Sequence, residues 1–180
     1  MVNEKASSAV QQHLDSCTGN PESGIAGLVM CSIDKNGDII QANASGTKGL
    51  SNKSPMDLDT VFWLASCTKL LTAIACMQLV EQGKLTLDDH EQLYGLCPEI
   101  KNVKVLQADG SLKPREKDIT LRMLLSHTAG YAYEFFHEGL RDHGRPAGYD
   151  VFTGDVEDVY RMPLVHEPGS DWQYGVGSLI

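Results

Sequence analysis

The chain has 180 residues, of which 42% are hydrophobic and 22% charged, an ordinary globular balance with enough apolar residues for one sizeable core. Its net charge is −9 and it has no basic stripe, which excludes nucleic acid and anionic membrane surfaces as main partners. The start, Met1 to Ser8, lacks the apolar run of a secretory leader, and the longest apolar run, Leu70 to Val80, falls well short of the roughly 20 residues of a membrane span.

Val10, Leu14 and Cys17 recur at i, i+4 and i+7, which predicts an amphipathic helix over 4–17. Asn20-Pro21-Glu22-Ser23-Gly24 breaks it. Two apolar runs, 25–33 and 39–46, flank Asn36-Gly37, a strong hairpin signal. Asp34, Asn36 and Asp38 have the look of a calcium loop, but that loop needs Gly at its sixth position and Glu at its twelfth, where Ile39 and Ser45 stand. A polar connection over 47–60 leads into Val61-Phe62-Trp63-Leu64. The run from Leu70 to Val80 is apolar on every side, which predicts a helix buried on every side, with Gly83 as its left-handed cap.

Leu93 to Cys97 is a brief helix stopped by Pro98, and Val103 to Leu106 faces Leu112 across Asp109-Gly110 as a second hairpin. Thr120 caps a short helix whose buried face is Leu121, Leu124 and Leu125. Helices are expected over 133–143 and 154–161, and the last stretch, 163–177, is loop-like. Tyr131, Tyr133, Phe135 and Phe136 either shape a substrate channel or, the reading preferred, form an aromatic helix face on the core; Trp63 and Trp172 either line a pocket or fill the core. The cysteines, Cys17, Cys31, Cys67, Cys76 and Cys97, form no Cys-x-x-Cys pair, so they read as reduced thiols of a cytoplasmic chain. No zinc spacing occurs, and neither a metal nor another cofactor is expected.

Ser66 and Lys69 stand three residues apart at the mouth of the apolar helix, which puts both on one face. A serine hydroxyl needs a base before it can attack, and a lysine is that base only when kept neutral. Burial and a helix N-terminus both disfavour the ammonium, and the unpaired N–H groups of that N-terminus suit an oxyanion. Alone, Ser-x-x-Lys is also an ordinary helix start. Cys67 stands about 100° round the helix from this face and reads as a buried or inert thiol.

The stretch Trp63-Leu64-Ala65-Ser66-Cys67-Thr68-Lys69, with Leu79-Val80-Glu81-Gln82-Gly83-Lys84-Leu85 after it, resembles the serine β-lactamase and penicillin-binding-protein superfamily, class C-like branch of esterases, peptidases and acyltransferases. Leu124-Leu125-Ser126-His127-Thr128-Ala129-Gly130 is similar to that branch's Leu-Leu-Ser/Thr-His-Thr-Ser/Ala-Gly block, and Pro168-Gly169 to Tyr174-Gly175 to the segment carrying its Tyr-x-Asn motif. The finer resemblance is to fungal polyketide acyltransferases that esterify a statin-type alcohol.

The resemblance implies an α/β (α+β) fold of the β-lactamase/transpeptidase type. Residues 1–180 would be the N-terminal portion of one domain: a helix, the 24–47 hairpin of the sheet, then a mostly helical region, 61–177, carrying the active-site helix. It implies Ser66 as nucleophile, Lys69 as base, Tyr174 as proton shuttle and Arg161 as an acceptor-pocket residue, with His127 structural. The implied substrate is a small-molecule ester or thioester of secondary metabolism, with an acyl carrier or polyketide synthase as donor.

Two departures narrow this. The Asn of Tyr-x-Asn is Val176, which disfavours β-lactam and peptide substrates. The family's third motif and later sheet strands have no counterpart here, so a catalytically impaired fragment or a non-catalytic binding partner is the alternative from another class.

Overall fold

Asp34 closes the turn from which the first hairpin grows. Its N–H donates to the Asp38 carbonyl at 2.9 Å, and its carboxylate accepts from the N–H groups of Asn36 at 2.8 Å and Asp38 at 3.0 Å. With Gly37 at φ 92°, this turn joins β1 (Gly27–Ile33) to β2 (Ile39–Gly46) in antiparallel register from Gly27↔Gly46 to Ile33↔Ile39, with an irregularity between Ser32 and Ile33. The Asp34 carboxylate is therefore engaged by the turn itself. The structure, a computed structural model, describes residues 4–20 and 24–177, with side chains from residue 8 onward; the Pro21-Glu22-Ser23 part of the expected break lies outside them.

The chain divides into two units, residues 1–63 and 64–180. In the first, α1 (Glu4–Thr18) is held on β2 by polar pairs. Asn43 donates to the Gln11 side chain at 2.9 Å, Gln11 donates to the Ala44 carbonyl at 3.0 Å, and the Ser45 hydroxyl donates to the Asp15 carboxylate. Val10, Leu14 and Cys17 share the half-buried side, as their spacing predicts.

The second unit opens with a short 3-10 helix, Ala65–Cys67, that runs into α2 (Thr68–Glu81). Then come α3 (His90–Leu96), a 3-10 helix at Pro98–Asn102, β3 (Lys104–Leu106) paired antiparallel with β4 (Leu112–Pro114), α4 (Leu121–Leu125), α5 (Glu138–Gly144) and α6 (Val156–Arg161). The caps are local and legible: Asp89 accepts from Gln92 N–H, Thr120 from Met123 N–H and Asp155 from Glu157 N–H. Gly83 ends α2 at φ 69°, in the left-handed conformation that glycine adopts without penalty. The core gathers Ile100, Ile119, Leu124, Tyr131, Leu164 and Val176.

Three expectations are corrected. First, α2 is not buried on every side: none of its residues is buried, and Leu70 is 66% and Leu71 56% exposed. The half-buried positions are Lys69, Thr72, Ala73, Cys76 and Val80, one helical stripe, so an apolar sequence without amphipathic direction packs along a single face. On α4, likewise, only Leu124 is fully buried, Leu121 and Leu125 half so.

Second, the helix expected over 133–143 is broken into a 3-10 turn at Glu134–Phe136 and α5, because His137 between them is extended, at φ −139° and ψ 106°. Ahead of it, the carbonyls of His127, Thr128 and Gly130 accept from the N–H groups of Gln173, Gly169 and Val165 at 2.8–2.9 Å, which ties the 127–130 turn to the 165–173 segment. His137 then starts α5 as its cap, its Nδ1 accepting from Leu140 N–H.

Third, Tyr131 and Tyr133 are buried, but Phe135 and Phe136 are exposed; Trp63 and Trp172 are exposed too and fill no core.

Tyr94 ties α3 to the segment before α4: its hydroxyl accepts from the N–H of the fully buried Ile119 at 2.9 Å and donates to Asp118 at 3.1 Å. Tyr94→Phe leaves that N–H buried without a partner. It is expected to lower stability by about 1–3 kcal/mol in urea unfolding; an unchanged midpoint would show that the hydroxyl is dispensable.

Candidate active site

Ser66 lies exposed in the 3-10 turn, and the residue before it, Ala65, has φ 45°. A positive φ on a residue with a Cβ costs of order 1–3 kcal/mol and persists where the surroundings enforce it. Lys69, one turn later, faces the same way. Its Nζ donates to the Ser66 Oγ at 3.3 Å and to the Tyr133 Oη at 2.9 Å. The shorter bond is to the tyrosine, 64 positions away in sequence.

Tyr174 completes the enclosure with its ring. Lys69 Nζ lies 5.0 Å from the Tyr174 ring centre and 5.3 Å from that of Tyr133, and the two rings are 5.9 Å apart. The Tyr174 ring attracts the ammonium by about 0.5–2 kcal/mol, whereas Tyr133 meets it through its hydroxyl. Among the described residues the Tyr174 hydroxyl makes no hydrogen bond to Ser66 or Lys69. The phenol oxygen on the lysine belongs to Tyr133, which no sequence pattern marks, because it falls in an aromatic run that reads as core.

Close backbone contact brings the two tyrosines together. A Cβ on Gly175 would stand 2.2 Å from the Tyr131 carbonyl oxygen and 2.7 Å from the Ala132 Cα, so glycine lets the 174–176 segment lie against the 131–133 segment. Val176 is in the core, 1% exposed, so an Asn at this place in Tyr-x-Asn is replaced by a packing residue.

His127 packs on Tyr174 with ring centres 4.7 Å apart and on Trp172 at 6.2 Å. It adopts φ 61°, and its carbonyl accepts from Gln173 N–H. Burial first, and the Lys69 charge second, push the imidazole below its ordinary proton affinity. It holds Tyr174 and touches no reacting atom.

The other singled-out residues lie elsewhere. Arg161, on α6, pairs with Glu157 at 3.6 Å and lies 5.9 Å from the Tyr149 ring; among the described residues no hydrogen bond or ion pair joins it to Ser66, Lys69 or Tyr174. Cys67 is exposed rather than buried, because the 3-10 turn that presents Ser66 turns its neighbour outward as well. Among the described residues no group of His, Cys, Asp and Glu is arranged to hold a metal ion, and no helix is long and apolar enough to cross a membrane.

A family model described as Beta-lactamase matches residues 6–179. A lovastatin esterase of Penicillium rubens is 35% identical over 164 residues, covering 85% of this chain and 40% of the relative. A mutant of simvastatin synthase (LovD) from Aspergillus terreus superposes with a TM-score of 0.77 at 30% identity, over 96% of this chain and 43% of that one. EstCE1, a hydrolase with promiscuous acyltransferase activity, superposes at 0.69 and 31% identity, over 97% of this chain and 45% of the other. The chain thus spans about two fifths of the curated relative's length.

Two variants check this geometry. Gly175→Ala forces the tyrosine segments apart and is expected to destabilise by about 1–3 kcal/mol in urea unfolding; a neutral effect would mean the contact relaxes freely. His127→Asn keeps a residue tolerant of positive φ but removes the titration. The folded chain holds the His127 proton more weakly than the unfolded chain, whose value is near 6.5, so acid favours unfolding through this group and the penalty vanishes above that pH. The stability of wild type relative to His127→Asn should therefore fall between about pH 8 and about pH 5; a pH-independent difference would contradict the assignment.

Proposed function

The chain belongs to the beta-lactamase family and has the β-lactamase/transpeptidase-like fold, and on that premise we propose that it forms a serine acyl-enzyme and acts as an esterase or acyltransferase on esters or thioesters of secondary metabolism. The observation that carries this reading is the single amine held between two hydroxyls, Lys69 Nζ at 3.3 Å from Ser66 Oγ and 2.9 Å from Tyr133 Oη.

The chemistry follows from that placement. Lys69 first gives up its ammonium proton to solvent, and the neutral amine then takes the Ser66 proton as Oγ attacks the substrate carbonyl carbon. The N–H groups of Cys67 and Thr68 are already bonded to the Leu64 and Ala65 carbonyls, so the Ser66 N–H is the donor of this helix start that would favour the oxyanion that forms. The carbon–oxygen or carbon–sulfur bond to the leaving group then breaks, and the leaving group takes the proton that Lys69 holds. Water or an alcohol next attacks the Ser66 ester; Lys69 accepts its proton and returns it to Oγ. Tyr133 positions the amine from the buried side. Tyr174, by its place in the family's second motif, is the phenol that relays protons on the substrate side.

Val176 supports esters over β-lactams, because a buried valine offers no amide to an acyl-amide substrate. The relatives' names, a lovastatin esterase and a simvastatin synthase, support a small-molecule ester. A carrier-bound thioester, from an acyl carrier or a polyketide synthase, is the donor we favour, since a thiolate departs with less protonation than an alkoxide.

The test is incubation with p-nitrophenyl butyrate followed by intact mass and release kinetics. One butyryl adduct is expected, absent in Ser66→Ala. Tyr133→Phe is expected to lower kcat about 10²-fold with KM little changed, the size of a misplaced catalytic group. A folded wild-type chain without an adduct, or an adduct retained in Ser66→Ala, overturns the reading.

A further inference from the structure

We propose that the exposed rings of Phe135 and Phe152, layered on the buried ring of Tyr133, are a recognition surface for an aromatic ring carried by the ester substrate. The inference rests on the acyl-enzyme reading of Ser66 and adds its specificity. Tyr133 and Phe135 stack with ring centres 4.8 Å apart and planes 21° apart. Phe135 and Phe152 stack at 5.7 Å and 16°, and Tyr133 and Phe152 lie at 6.3 Å and 6°. Three near-parallel rings are thus gathered, while Phe136 meets Phe135 edge-on at 4.5 Å and borders the layer.

The layer is not core. Phe152 is 70% exposed and Phe135 52%, whereas Tyr133 is buried. Exposed apolar patches of this kind mark binding sites, and further rings join such arrays in offset or edge-on geometry.

Two observations direct the occupant. The layer is continuous with the reacting atoms, because Tyr133 supplies one of its rings and also the hydroxyl on Lys69. A ring a few bonds from the carbonyl under attack at Ser66 would therefore reach it. Phe152 is also held in place: its N–H donates to Asp150 at 2.8 Å, and the neighbouring Thr153 hydroxyl donates at 2.9 Å to Asp158, a buried carboxylate. The loop presents the exposed ring in a defined position.

Binding and kinetics on the full 180-residue chain test this. The double variant F135A/F152A truncates exposed side chains. Ligand-observed NMR with 2-naphthylmethanol, which cannot acylate Ser66, is expected to show binding to wild type weakened about 10-fold or more in the variant, the loss of one or two aromatic pairs. The kinetic arm compares benzyl acetate, with its ring on the alcohol, methyl phenylacetate, with its ring on the acyl group, and butyl acetate without a ring. The kcat/KM ratio of one ring ester to butyl acetate should fall about 10-fold in the variant, and which ring ester responds identifies the side recognised.

Naphthyl binding that is absent in wild type or unchanged in the variant overturns the proposal, as do unchanged ratios for both ring esters. A concentration-dependent dimer in size exclusion that F135A/F152A abolishes also overturns it, assigning the layer to contact between copies. Naphthyl binding is read without turnover, so failure of Ser66 to acylate refutes the enzyme reading separately from this one.

Discussion

One amine organises the second unit of this protein. Lys69 is half-buried, hydrogen-bonded to Ser66 and Tyr133, and faced by the rings of Tyr133 and Tyr174. Each neighbour arrives on a different segment and by a different means. Ser66 comes from the same helix start, on a turn whose Ala65 is held at positive φ. Tyr133 follows a turn, residues 127–130, whose carbonyls pair with the 165–173 segment. Tyr174 comes from that segment's end, let in by a glycine where a side chain would collide with backbone. Losing any one leaves the amine loose, and an amine placed loosely is a poor base.

The arrangement separates structural from chemical roles among aromatic groups. Tyr131 is buried in the core, where burial pushes its phenol far above the ordinary range, so it stays neutral packing. Two residues on, Tyr133 shares the buried side but brings its hydroxyl to Lys69, and Phe135, two further, emerges onto the surface. In extended backbone, residues two apart share a face, so Tyr131 and Tyr133 line one side and link core to amine. His127 serves from the opposite flank, bracing Tyr174 by ring contact and Gln173 through its carbonyl.

Much of this was legible because it is local. Asn36-Gly37 makes the first hairpin, Thr120 caps α4, Gly83 ends α2, and Ser-x-x-Lys places two side chains on one helix face. What stayed illegible depends on distant partners. The burial of α2 could not be judged from its composition, since an apolar helix carries no sign of which stripe meets neighbours; only the face through Lys69, Thr72, Cys76 and Val80 does. The helix over 133–143 is broken at His137, whose extended backbone no hydrophobic period marks. Tyr133 was hidden because its partner stands 64 residues upstream, and an aromatic run reads as core. Arg161 was tied to the site by resemblance alone, and its side chain turns to Glu157 and Tyr149.

The bridging lysine is the centre of this chemistry, and a crystal structure of the chain after reaction with an alkyl fluorophosphonate tests it most directly. Phosphorus is expected on the Ser66 Oγ, with Lys69 Nζ within hydrogen-bond distance of both that oxygen and the Tyr133 hydroxyl, and the Tyr174 ring still against the amine. Phosphorus on another residue, or a Lys69 side chain turned away from Tyr133 and Ser66 in the adduct, would contradict it.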